Sequence, residues 1–144
     1  MTKIHRTGKF IFCFFSRKGG ISKGNFSSLN CSYNIGEDKK NVLNNREKAK
    51  SLINSKKKII FVNQIHSNKV VVINKISTTK LIRADAMISD RKDILLGILT
   101  ADCAPIIALG KNYFGIIHAG WKGAISGIIE NTINQLLTNG ENLN

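Results

Sequence analysis

The chain has 144 residues, the size of one domain with its own core, and its content of 42% hydrophobic residues is typical of a folded globular protein. Three scattered cysteines exclude a secreted disulfide framework, and no apolar run reaches the ~18 residues of a membrane span. The net charge of +13 comes from dispersed lysines without interleaved aromatic residues, which argues against nucleic-acid binding. We therefore expect one domain over residues 1–144, in the cytoplasm, with no membrane partner.

The first half of the chain is predicted to contain three strands and one helix. Apolar runs indicate the strands, turn formers indicate a loop, and Asp38 is a residue type that caps helix N-termini. In chain order, the predicted elements are a strand at 9–16, a loop at 17–30, a helix from Asp38 to 54, strands at 58–66 and 69–74 joined as a hairpin at 67–68, and a polar connection around 77–79.

The second half has a higher apolar density. Nearly continuous aliphatic strands predict a sheet that is covered on both faces, and apolar residues at helical spacing predict a final helix. The predicted elements are strands at 84–89, 94–101, 104–109 and 113–118, followed by a helix at 123–139 with Asn139 and Gly140 as its C-cap.

Three side chains of metal-binding type lie at or directly after the ends of these apolar segments: His66, Cys103 and His118. Two histidines and a cysteine would leave a fourth zinc position open, which is the catalytic pattern. Asp102 could act there as a base or orient a ligand. Buried Cys and His are also common packing residues, and the spacings match no zinc finger, so residue types alone leave both interpretations open.

Seven ordered segments resemble the YfiH-type family, which is also described as laccase-domain or multicopper polyphenol oxidase-like and as purine nucleoside phosphorylase. The resemblance extends from about Phe10 to the end of the chain. The segments are FSRKGG from Phe15, SLN from Ser28, NR from Asn45, NQIHS from Asn63, ADA from Ala84, TADCAP from Thr100 and HAGWKG from His118.

This resemblance implies an α+β fold with a mixed sheet flanked by helices, of the CNF/YfiH-like cysteine-hydrolase type. It implies zinc, or copper in the oxidase interpretation, held by His66, Cys103 and His118. The implied reaction is phosphorolysis of adenosine, inosine, guanosine or methylthioadenosine to base and ribose 1-phosphate, with adenosine deamination as a companion. The substrate-binding candidates are Arg17, Gln64 and Lys122, and the catalytic candidates are Cys103, His118 and Asp102.

Three alternatives stay open at this stage. Cys103 could be a thiolate nucleophile with His118 as its base, the chain could be a copper polyphenol oxidase, or it could be an inactive metal-binding remnant. Asp85 and Asp102 could equally be strand-end caps. Family members usually continue with a Gly-Pro strand and an Arg-rich, Tyr-containing motif, so we expect a C-terminally truncated domain or a second chain that supplies the remainder.

Overall fold

The computed structural model describes residues 2–53, 56–74 and 82–142, and the predicted polar connection at 77–79 lies outside them. The chain divides into two compact units, Met1–Lys56 and Lys57–Asn144. The interpretation of residues 1–144 as one domain stays a prediction. None of the helices in the described ranges is long and apolar enough to cross a membrane.

The first unit contains a hairpin and a helix. Strand β1 (Lys3–Thr7) pairs antiparallel with β2 (Phe10–Phe14), and helix α1 (Lys39–Leu52) follows a short 3-10 turn at Gly24–Phe26. Asp38 caps α1 as predicted, because its carboxylate accepts the Lys40 N–H at 2.6 Å. Strand β1 was not predicted, since its five residues are exposed and mostly polar.

The second unit is built from six strands and two helices. A four-stranded mixed sheet has the order β4 (Val70–Val72), β5 (Ala86–Ser89), β8 (Phe114–Ala119), β7 (Ala104–Leu109), and beside it β3 (Lys58–Phe61) pairs with β6 (Ile94–Gly97). Helices α2 (Trp121–Ile125) and α3 (Ile128–Thr138) follow β8. The predicted α+β class with a mixed sheet is confirmed.

The predicted hairpin at 58–66 and 69–74 is wrong. Strand β3 runs parallel to β6, and β4 runs parallel to β5, so each strand has a partner that is distant in sequence. The reason is that residues 62–69 form a loop whose backbone is held by residues farther along the chain, with Asn63 bridging to Arg83. Such pairings leave no signal in the local apolar pattern.

The predicted final helix is interrupted. It begins at Trp121 rather than at 123, and Gly127, with φ +83°, separates α2 from α3. Only glycine adopts this left-handed conformation at little cost, so the chain turns there. The predicted strand at 94–101 also ends earlier, at Gly97.

The four-stranded sheet is covered on both faces, as expected. Successive residues of a strand point to opposite faces, and Met87 of β5 packs with Ile94 and Val62, whereas Ala86 packs with Ile117 and Ile128. One face therefore meets the β3–β6 pair and the other meets α3. Apolar burial on both faces holds the ends of β5, β7 and β8 in fixed positions.

Candidate metal centre

Three elements of the second unit bring His66, Cys103 and His118 together. His66 lies in the loop between β3 and β4, Cys103 directly precedes β7, and His118 lies near the end of β8. Because β7 pairs antiparallel with β8 in a register that places Pro105 opposite His118, Cys103 and His118 meet at the same end of the sheet. The potential ligand atoms of the three residues all lie within 4.8 Å of one another.

The spacing of one pair in this group fits two ligands of a tetrahedral zinc ion. Zinc bonds of about 2.3 Å to sulfur and about 2.0 Å to nitrogen, at a tetrahedral angle, separate the two ligand atoms by about 3.5 Å. The distance between Cys103 Sγ and His66 Nε2 is 3.8 Å. The rings of His66 and His118 meet edge to face, with centroids 4.8 Å apart. The group can hold a metal ion and leave one position open.

Asp85 lies fully buried beside the three residues, at the residue before β5. Its Oδ1 accepts the backbone N–H of His66 at 2.9 Å and lies 2.9 Å from His118 Nδ1. Its Oδ2 accepts the backbone N–H of Ser67 at 2.7 Å and the Ser67 hydroxyl at 2.8 Å. The Ile65 N–H approaches both oxygens at 3.2 Å. A buried carboxylate of this kind needs donors on every side, and Asp85 has them.

The pKa values of the Asp85 carboxyl and the Cys103 thiol shift in opposite directions. Burial alone would raise the pKa of Asp85, but the hydrogen bonds from Ser67 and His118 outweigh it and lower that pKa. Desolvation, followed by the charge of Asp102, raises the pKa of the Cys103 thiol. A raised thiol pKa disfavours an activated cysteine nucleophile, whereas a metal ion would deprotonate the same thiol on binding.

Gly120 permits the close approach of two ligands. A Cβ at this position would lie 2.8 Å from Cδ2 of His66 and 3.2 Å from Sγ of Cys103. Gly123, one turn later in α2, lies so close to the loop that a Cβ would be 2.8 Å from the Ser67 carbonyl oxygen. The two glycines of the HAGWKG segment therefore allow the chain to pack closely against His66, Cys103 and Ser67.

The other predicted site residues have distinct surroundings. Asp102 is exposed, and its Oδ1 accepts a long hydrogen bond from Cys103 Sγ at 3.8 Å. Gln64 forms a two-point amide contact with the Leu99 backbone, at 2.7 and 2.8 Å. Lys122 is exposed, with its Nζ 5.4 Å from the centre of the Trp121 ring. Their functional roles stay predictions.

Arg17 belongs to the first unit, where its guanidinium donates to the Ser27 carbonyl from Nε at 2.9 Å and from Nη2 at 2.6 Å. Its role toward phosphate stays a prediction. Sequence reasoning gave Asp85 no specific function. The available signal was a carboxylate directly before the apolar run Ala86, Met87 and Ile88, where burial demands hydrogen-bond donors.

The mixed sheet and the His-Cys-His group define an α+β protein with a candidate transition-metal centre. A known family, described as multi-copper polyphenol oxidoreductase laccase, matches residues 11–143. The chain belongs to this family, and its resemblance to YfiH-type proteins is confirmed.

Similar proteins of known name support the same assignment. A purine nucleoside phosphorylase of Corynebacterium glutamicum is 35% identical over 83% of this chain and 51% of its own length. The purine nucleoside phosphorylase YfiH of Escherichia coli is 29% identical over 91% of this chain and 54% of its own length. The chain thus spans about half the length of these relatives.

Solved structures show the same fold. The crystal structure of a Neisseria meningitidis protein superposes with a TM-score of 0.77 at 30% identity, and that of YlmD from Geobacillus stearothermophilus with a TM-score of 0.78 at 28% identity. Each match covers 85% of this chain and 50% of the solved chain.

Proposed function

We propose that this chain carries the zinc centre of a purine nucleoside phosphorylase, with His66, Cys103 and His118 as ligands. The observation that carries the proposal is the convergence of three ligand atoms within 4.8 Å, in a family whose relatives are named purine nucleoside phosphorylase. Mixed nitrogen and thiolate donors suit zinc, and an open position is typical of its catalytic sites.

The proposed reaction exchanges one bond at the ribose. The bond from the anomeric carbon to the purine nitrogen breaks, a bond from the same carbon to a phosphate oxygen forms, and the departing base takes up a proton. Zinc, when bound, supplies a Lewis acid at its open position. Candidate substrates are adenosine, inosine, guanosine and methylthioadenosine.

The residues of this chain have separate proposed tasks. Asp102, an exposed carboxylate next to Cys103, can hold the proton that moves to or from the purine. Lys122 and Arg17 are cations suited to phosphate. Gln64 still has one amide N–H and one carbonyl lone pair beyond its two bonds to Leu99, and these could contact a substrate. Adenosine deamination is the proposed companion reaction: water adds to the purine carbon that bears the amino group, the carbon–nitrogen bond to that group breaks, and the amino group leaves as ammonia.

The test measures metal and base release on the purified chain. We expect about one zinc per chain, and release of hypoxanthine from inosine only when phosphate is added. Cys103→Ala should lose both, and Cys31→Ala, a matched free cysteine of the first unit, should lose neither.

Each alternative gives a different result. Equal base release without phosphate would identify a hydrolase, and copper with polyphenol oxidation would identify the oxidase. Zinc binding without turnover would identify an inactive metal-binding chain. Turnover only after the part of a longer relative that this chain does not cover is added as a separate chain would support a second-chain partner. Full zinc retention in Cys103→Ala would refute the ligand assignment.

A further inference from the structure

The carboxylate of Asp85 contacts both histidines of the centre, at the backbone of His66 and at the ring of His118. It is fully buried, and five donor groups from Ile65, His66, Ser67 and His118 surround its two oxygens. A carboxylate offers about four lone-pair directions, so its capacity is filled. Such a concentration of donors is more than a strand-end cap requires.

The same oxygen serves both ligands. Oδ1 is 2.9 Å from the backbone nitrogen of His66 and 2.9 Å from Nδ1 of His118. We infer that Asp85 is the positioning residue of the metal centre, which fixes the backbone of one histidine ligand and the ring tautomer of the other through a single atom. The inference rests on the proposed metal centre, and it concerns a residue outside the proposed ligand set.

For His118, the contact with Asp85 determines which ring nitrogen carries the proton and which keeps its lone pair. An ionised carboxylate only accepts hydrogen bonds, so Nδ1 must carry the proton and donate it to Oδ1. Nε2 then keeps its lone pair and is the nitrogen that can bind a metal ion. Partners of this kind raise ligand basicity and orient the ring, and their loss typically costs 10–100-fold in metal affinity.

For His66, the contact holds an unusual backbone conformation. His66 has φ +56°, in the left-handed region that non-glycine residues seldom adopt. Three consecutive N–H groups, of Ile65, His66 and Ser67, point at the carboxylate and stabilise this turn. Without the anion the three donors would lose their shared acceptor, and the His66 ring would leave its place opposite Cys103.

The substitution Asp85→Asn tests the inference with nearly unchanged shape. Whichever way the amide is turned, its NH₂ group faces an N–H donor, either Ser67 or His66. We expect zinc affinity to fall 10–100-fold in a chelator competition assay. Ser67→Ala is the matched control, because it removes one 2.8 Å bond to the same carboxylate without touching His118, and it should lower affinity by about threefold or less.

A second measurement needs no metal and no activity. ¹⁵N spectra of the imidazoles in the zinc-free chain, at a pH where they are neutral, should show His118 protonated at Nδ1 in the wild type and in Ser67→Ala. In Asp85→Asn a substantial share should move to Nε2. The chain has only three histidines, so His5→Gln and His66→Gln spectra assign the signals.

The outcomes separate this inference from the proposed function. Zinc affinity in folded Asp85→Asn within threefold of wild type, with the Nδ1 tautomer kept, would show that Asp85 is only a structural residue. A wild-type His118 protonated at Nε2 would overturn the inference even if the variant failed to fold. Failure of the proposed metal centre would instead appear as a wild-type chain that binds no zinc, whatever the tautomer.

Discussion

Gly120→Ala should impair metal binding while leaving the fold intact. The added methyl would lie 2.8 Å from Cδ2 of His66, about 0.7 Å closer than carbon atoms normally approach, and 3.2 Å from Sγ of Cys103. The backbone itself accepts alanine, because φ is −73° and ψ is 161° at this position. The cost therefore falls on the two ligand side chains.

The expected loss of zinc affinity follows from how well the zinc-free and the zinc-bound chain accommodate the added methyl group. In the zinc-free chain, His66 is exposed and its ring can swing away from the methyl, so the free energy of unfolding should change by less than about 1 kcal/mol. In the zinc-bound chain the ligands must keep their bond lengths within about 0.2 Å, so the contact remains. Overpacking of this kind costs about 1–3 kcal/mol, which corresponds to roughly 5–150-fold weaker zinc binding.

The assay is chelator competition for zinc together with thermal unfolding of the zinc-free protein. Gly97→Ala is the matched control, since its methyl would lie 2.7 Å from the Phe61 ring in the β3–β6 pair, away from the ligands. We expect the control to lose thermal stability and keep its zinc affinity. Gly120→Ala that binds zinc within threefold of wild type would refute the reasoning.

Zinc at 100 times its dissociation constant should stabilise the chain by about 2.7 kcal/mol, and Cys103→Ala should abolish this shift in thermal unfolding. The buried carboxylate of Glu141 accepts three consecutive N–H groups of the β7–β8 turn. Glu141→Gln should therefore lower the free energy of unfolding by about 2–3 kcal/mol in denaturant unfolding, whereas Glu130→Gln, at an exposed position, should change it little. Asn45→Ala removes three side-chain hydrogen bonds inside the first unit and should lower the free energy of unfolding by about 3 kcal/mol. Asn44→Ala, at an exposed position, should change it little, and equal effects of the two substitutions would contradict this.

The sequence could predict the elements that are determined locally. The strand at 84–89 is apolar over a short run, and Asp38 has the side chain that helix N-termini need, so both predictions rested on neighbouring residues. The sequence could also single out His66, Cys103 and His118, because each lies at or directly after the end of an apolar segment, although residue types alone left a packing role open. Strand β1 could not be found this way, since all five of its residues are exposed and four of them are polar.

Strand partners could not be predicted, because pairing depends on residues far apart in the chain. The stretch around Ser67 and Asn68 has the composition of a hairpin turn, and the tertiary structure overrides it. The break at Gly127 was hidden for a similar reason, since a single glycine within an apolar helical pattern is often tolerated. The role of Asp85 depends on donors from the 65–67 loop, which becomes its neighbour only when β4 pairs with β5.

The parallel pairing is what makes the centre geometrically possible. In a local hairpin, His66 would lie at the tip of a two-stranded ribbon, where the only partners within reach would be its own flanking residues. In the observed fold β4 runs parallel to β5, and the Asp85 and Ala86 N–H groups donate to the Lys69 carbonyl, which fixes the 65–69 loop beside the start of β5. The antiparallel β5–β8 pairing then brings His118 to the same place, because its N–H donates to the Asp85 carbonyl at 2.7 Å. The same residue thus joins the two histidines through its backbone as well as through its carboxylate, so a change in the register of β5 against β4 or β8 would separate His66 from His118.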